Sequence, residues 1–140
     1  MFKNIFKKKH ENKDDKDILI TSLLIHAAKI DDNYTDIEKE IVKNALINLN
    51  VTSPNEVEEL LKKAEKKEQE SNQIIEFTRE IKKYPMKYRL KIIEILWKII
   101  YSDCTSDNYE SNLMRRVCGL LYVSDKDNGI IKTKVKKSQE

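Results

Sequence analysis

Six carboxylates stand where this chain could most readily do chemistry. Asp31, Asp32 and Glu38 form one group, and Asp103, Asp107 and Glu110 form a second. Both fit the frame D-x-x-x-[T/D]-x-x-E, read from Asp31 and from Asp103. Oxygen donors gathered at the junction between two helices suit a hard cation such as Ca²⁺ or Mg²⁺. An EF-hand does not fit the frame. Its sixth position needs Gly where Asp36 or Asn108 stands, and its twelfth needs a bidentate Glu where Val42 or Met114 stands. The simpler role is helix capping. Asp or Thr at an N-cap with Glu three residues on satisfies orphan N–H groups and complements the helix dipole, for about 1 kcal/mol each.

Other reactive constellations are thin, and no catalytic residue is expected. The two histidines are His10, in a lysine-rich start, and His26, within an apolar stretch. A structural role suits His26 better than catalysis. Glu-x-x-His, H-E-x-x-H and a phosphate-binding Gly loop are all missing. Cys104 and Cys118 form neither a CxxC nor a zinc-ligand set and read as reduced thiols, Cys118 as a small core hydrophobe. The chain reads as a non-enzyme with no cofactor beyond a divalent cation at the acidic junctions.

The elements that must position these carboxylates are helices. Residues 18–30 are apolar nearly all round, as in a helix buried on several sides. Thr35 and Glu38 then form a capping box for a helix with a stripe at Ile37, Ile41, Val42, Ala45, Leu46 and Leu49. Ser53-Pro54-Asn55-Glu56 opens a third helix, with Pro at its first position, bearing Val57, Leu60, Leu61 and Ala64. Its Lys62–Glu68 stretch reads as a solvated face. Ile74, Phe77, Thr78 and Ile81 mark a fourth helix, ended by Pro85 near Tyr84. A fifth spans 87–102 and a sixth runs from Asp107 to Leu121. A short seventh could follow Ser124, weakened by Gly129. Two Gly and two Pro in 140 residues rule against Gly/Pro-rich or many-turned all-β architectures.

A shift of 72 residues lays 24–52 on 96–124 without a gap: Leu24 on Leu96, Asp31 on Asp103, Glu38 on Glu110, Leu49 on Leu121, Val51 on Val123. Each copy is an apolar helix, an acidic loop, a capping signal and an amphipathic helix. Two copies are too few for a solenoid, so the expectation is an all-α, compact six- to seven-helix bundle with an internal pseudo-repeat. The two most apolar helices should meet at its centre.

The second copy carries a resemblance. Trp97-Lys98-Ile99-Ile100-Tyr101-Ser102-Asp103, then Asp107-Asn108-Tyr109-Glu110, Leu113-Met114-Arg115-Arg116 and Leu120-Leu121-Tyr122-Val123-Ser124, resembles the second half of TerB-like domains. These belong to the tellurite-resistance TerB family, related to the N-terminal region of some membrane-anchored J-domain co-chaperones. Leu24 to Ala28 with Asp31 and Glu38 resembles the earlier half more loosely, so about 18–125 is covered. The chain has Ile30-Asp31-Asp32 and Ser102-Asp103-Cys104 where the family usually has Ala-Asp-Gly, and Thr35 where an Asp is common. The resemblance implies an all-α bundle, a cytoplasmic or membrane-peripheral setting, a link to stress or tellurite response, and no established catalytic activity.

Charge divides the chain further. The formal net charge is +3. Residues 1–13 carry Lys3, Lys7, Lys8, Lys9 and Lys13 against Glu11, and 130–140 carry Lys132, Lys134, Lys136 and Lys137 against Glu140. The body between is therefore acidic, which argues against a nucleic-acid surface. We expect a basic, flexible tail at 1–15, a TerB-like helical domain at 16–125, and a basic tail or short terminal helix at 126–140. Phe2, Ile5 and Phe6 share a helical face beside lysines, so residues 1–9 could touch an anionic membrane surface weakly. No apolar run reaches the roughly 18 residues of a membrane-spanning helix. The function expected is a non-enzymatic, cytoplasmic module that binds an unidentified protein partner, with a membrane-surface adaptor as the alternative.

Overall fold

Hydrophobic stripes at helical spacing build every element in the computed structural model, which describes residues 16–29, 34–70, 73–102 and 108–138, with backbone only at 108–111. The chain runs α1 (16–28), α2 (Asp36–Asn48), α3 (Val57–Glu70), α4 (Ile74–Thr78), a 3₁₀ turn (Ile81–Lys83), α5 (Met86–Tyr101), α6 (Asn108–Leu120) and α7 (Asp125–Ser138). No strand occurs among the described residues. The architecture is an all-α bundle, with seven α-helices among the described residues.

One continuous core runs through it. From α1 it takes Ile20, Leu23, Leu24, Ile25 and Ala28, and from α5 Ile92, Ile93, Leu96, Trp97 and Ile99. So α1 is buried almost all round, and α5 on every side but the face bearing Lys87, Lys91 and Lys98. α5 packs against α2, α6 and α7, α2 against α3, and α4 against α6. The buried hydroxyls of α1 are satisfied internally. Thr21 Oγ1 donates to the Asp17 carbonyl at 2.7 Å, and Ser22 Oγ to the Ile18 carbonyl at 2.7 Å. Ser22 also reaches the Ala64 carbonyl of α3 at 3.3 Å, tying the two helices together.

Two boundaries differ from the sequence reading. Pro54 lies in a turn, not in the helix: Glu56 N and Val57 N both donate to the Ser53 carbonyl, and α3 begins only at Val57. The fourth helix stops at Thr78, whose hydroxyl bonds back to the carbonyls of Ile74 (2.9 Å) and Ile75 (3.2 Å), and a 3₁₀ turn covers the rest. Tyr84 is extended (φ −78°, ψ 159°), as a residue before proline must be.

Residues 125–138 form a 14-residue helix despite Gly129. Ser124 starts it, its hydroxyl accepting from Asp127 N at 3.1 Å and its carbonyl from Asn128 N at 3.0 Å. α7 then packs along α5. Trp97 Nε1 donates to Asn128 Oδ1 at 2.8 Å, Lys132 Nζ lies 5.2 Å from the centre of the Trp97 ring, and Val135 is buried.

α2 and α6 are both 13 residues long and end in the same turn. Asn50 (φ 59°) and Tyr122 (φ 57°) take the left-handed conformation. Val51 N then donates to the Leu46 carbonyl at 2.9 Å, and Val123 N to the Cys118 carbonyl at 2.8 Å. These are the reciprocal bonds that close a helix C-terminus.

Candidate functional site

The described residues on either side of the first acidic junction, Lys29 after α1 and Tyr34 before α2, both lie near carboxylates of α3, Glu68 and Glu65. Asp31, Asp32, Asp103 and Asp107 lie outside the described residues, as does the side chain of Glu110, whose backbone belongs to α6. The remaining candidate, Glu38, is well placed. It is buried, 3% exposed, in the first turn of α2.

Glu38 completes the capping box its spacing predicts. Glu38 N donates to Thr35 Oγ1 at 3.1 Å, and Glu38 Oε1 accepts from Thr35 N and Thr35 Oγ1, each at 3.0 Å. Two backbone donors at the start of α2 are therefore met within four residues. The box fixes the direction in which the chain enters α2.

Sequence reasoning missed Glu68. Its stretch of α3 reads as a solvated face, yet the Glu68 side chain is only 7% exposed. Its Oε2 accepts from Lys29 Nζ at 2.8 Å, and its Oε1 lies 3.3 Å from His26 Nδ1. His26 also packs at a tilt on Phe77, 6.0 Å between ring centres. Glu68 thus clamps the last turn of α1 onto α3. Its register carried the signal: Leu61, Ala64 and Glu68 fall at i, i+3 and i+7, and all three are buried.

Tyr34 stands between the loop and the capping box. Its hydroxyl makes no hydrogen bond of good geometry with a described residue. Burial, followed by the negative charges of Glu65, Glu38 and Glu68, pushes its phenol well above the ordinary range. Lys39 Nζ sits 5.0 Å from the ring centre and 3.8 Å from Glu65 Oε2. The junction is therefore rich in carboxylate and partly offset by Lys29 and Lys39. Among the described residues no three of His, Cys, Asp or Glu converge as a metal-ion site. None of the described helices is long and apolar enough to cross a membrane.

Seven α-helices and no strand among the described residues, with α2 capped by Thr35 and Glu38 and the end of α1 held to α3 by Glu68, define an all-α bundle. Within that class the chain belongs to the TerB family: the family model for tellurite resistance protein TerB matches residues 17–133. No curated protein and no solved structure matches the chain.

Proposed function

We propose that this protein is a tellurite-resistance-related stress module that acts by binding a protein partner, without chemistry of its own. Its two acidic junctions, 31–38 and 103–110, hold a divalent cation in this reading. Asp31, Asp103, Asp107 and Glu110 are the principal ligands in this reading, with Asp32 and Glu38 secondary.

The observation that carries the reading is the equivalence of α2 and α6. They lie 72 residues apart in identical register and close with the same left-handed turn, at Asn50 and at Tyr122. That supports an internal duplication, in which the two carboxylate clusters precede equivalent helices. Family membership over residues 17–133 supports the stress-module part.

Calorimetric titration of the full chain with Ca²⁺, Mg²⁺ and Mn²⁺ tests the cation part. Binding heat that disappears in Asp31→Asn/Asp103→Asn is expected. Absence of heat, together with an unchanged melting temperature at millimolar metal, would refute it.

A further inference from the structure

The surface between α2 and α5 has a form that neither the family match nor the acidic junctions account for. A groove of about 220 Å³ lies there, lined by Ile41, Asn44, Ala45, Asn48, Leu49, Lys91, Ile95 and Lys98. Its floor is apolar, from Ile41, Ala45, Leu49 and Ile95. At one end Ile37 of the same α2 stripe is 67% exposed, an unusual position for a large aliphatic side chain.

The rim is one-signed. Both charged lining residues are lysines, Lys91 and Lys98, and Lys87 stands one turn before Lys91 on the same exposed face of α5. The adjacent carboxylate, Glu94, is only 12% exposed and already holds Lys91 at 3.2 Å and Lys134 of α7 at 3.1 Å. Asn44 and Asn48 complete the opposite wall with amides. An apolar floor between a cationic wall and an amide wall complements a ligand that is apolar on one face and acidic beside it.

Shape decides what kind of ligand. The α2 side of the lining runs from Ile41 to Leu49, eight residues on, about 12 Å at 1.5 Å per residue, or just over two helical turns, with Ile37 one turn before it. A concave trough of that length between two helices receives a third helix through anchors at i, i+4 and i+7. A flat anionic lipid surface would instead meet a convex face. We infer that the α2–α5 groove docks an acidic amphipathic helix of a partner protein, with its apolar stripe on Ile37, Ile41 and Ile95 and its carboxylates on Lys91 and Lys98.

This inference rests on the partner-binding reading and gives it a surface. The probe is a fluorescein-labelled 15-residue synthetic helix with Leu at i, i+4, i+7 and i+11 and Glu on both flanks. Its control is the same peptide with Lys replacing Glu. Anisotropy titrations against the full chain should show the acidic peptide binding at least tenfold more tightly than the basic one. Lys91→Glu/Lys98→Glu should weaken the acidic peptide at least tenfold. Ile37→Asp, at an exposed position that leaves the core intact, should weaken it similarly. Equal binding of both peptides, undiminished binding by both variants, or no binding overturns the inference. So does capture of phosphatidylserine vesicles through the same lysines without peptide binding, or a dimer of this chain that buries the groove. A strain lacking the gene separates the two levels. If wild type restores growth on tellurite and the groove variants restore it equally, the groove falls and the module reading stands. Failure of wild type itself to restore growth counts against the module reading.

Discussion

Glu38→Ala against Glu38→Gln measures what the buried carboxylate at the first junction does. In the folded protein Glu38 Oε1 accepts from Thr35 N and Thr35 Oγ1, both at 3.0 Å, with the side chain 3% exposed. Truncation to Ala removes a charge-assisted acceptor, worth about 1.5 kcal/mol, and leaves the Thr35 N–H without its partner. It also deletes buried methylene, at about 0.8 kcal/mol per group. The total comes to about 3 kcal/mol. Gln keeps the shape and one carbonyl acceptor aimed at Thr35 N, so its cost should be near 1 kcal/mol. For a chain of this size 1 kcal/mol moves the melting temperature by roughly 3–5 °C. Glu38→Ala should therefore melt about 10 °C below wild type, and Glu38→Gln about 3–4 °C below. Thermal melts followed by far-ultraviolet circular dichroism, run in chelator and again in millimolar Ca²⁺, read both shifts. Capping requires the gap between Ala and Gln in both buffers. Equal destabilisation by the two, or a gap that appears only with Ca²⁺, would refute the capping argument.

Three further outcomes are expected. Tyr122→Gly should stabilise the protein by about 0.5–1 kcal/mol, because a tyrosine at φ 57° is strained where glycine is not. Asn50→Gly should be neutral within about 0.5 kcal/mol, since asparagine tolerates that conformation; denaturant midpoints compare the two, and equal shifts would contradict the argument. Asn128→Ala strands the indole N–H of Trp97, which is 1% exposed, and should cost about 1–3 kcal/mol; a double-mutant cycle with Trp97→Phe should return a coupling near 1 kcal/mol. Burial, helped by Asp125, pushes the Cys118 thiol up to about 12. Its folded pKa thus exceeds the unfolded one, so its contribution is complete below the unfolded pKa and fades as pH rises through the interval up to the folded value. Wild type should lose about 1 kcal/mol more than Cys118→Ala between pH 8 and 10, and native Cys118 should resist thiol reagents until the chain unfolds.

Much of this molecule is legible in local signals. The Thr35–Glu38 capping box involves residues three apart and closes as its spacing predicts, because both hydrogen bonds are local. The apolar stripe of α5 is so complete that burial on several sides follows from composition alone. The third helix was harder to place: Ser53 accepts from two following backbone N–H groups and holds Pro54 in a turn ahead of Val57. Sequence distance hid Glu68 for a different reason. Its partners Lys29 and His26 lie 39 and 42 residues away, and nothing local distinguishes a clamped carboxylate from a solvated one among neighbouring lysines.

Sequence by itself determined the all-α class, the helix order, the family and the capping box of α2, since periodicity, capping and motif are short-range properties. Only the tertiary structure decided which charges are buried and which faces stay uncovered. α7 persists through Gly129 because Trp97, Val135 and Asn128 bring it onto α5, and packing outweighs the roughly 1 kcal/mol that glycine costs a helix. The α2–α5 groove arises in the same way. Ile41 and Ile95 lie 54 residues apart in sequence, and only helix packing sets them in one groove with lysines at the rim.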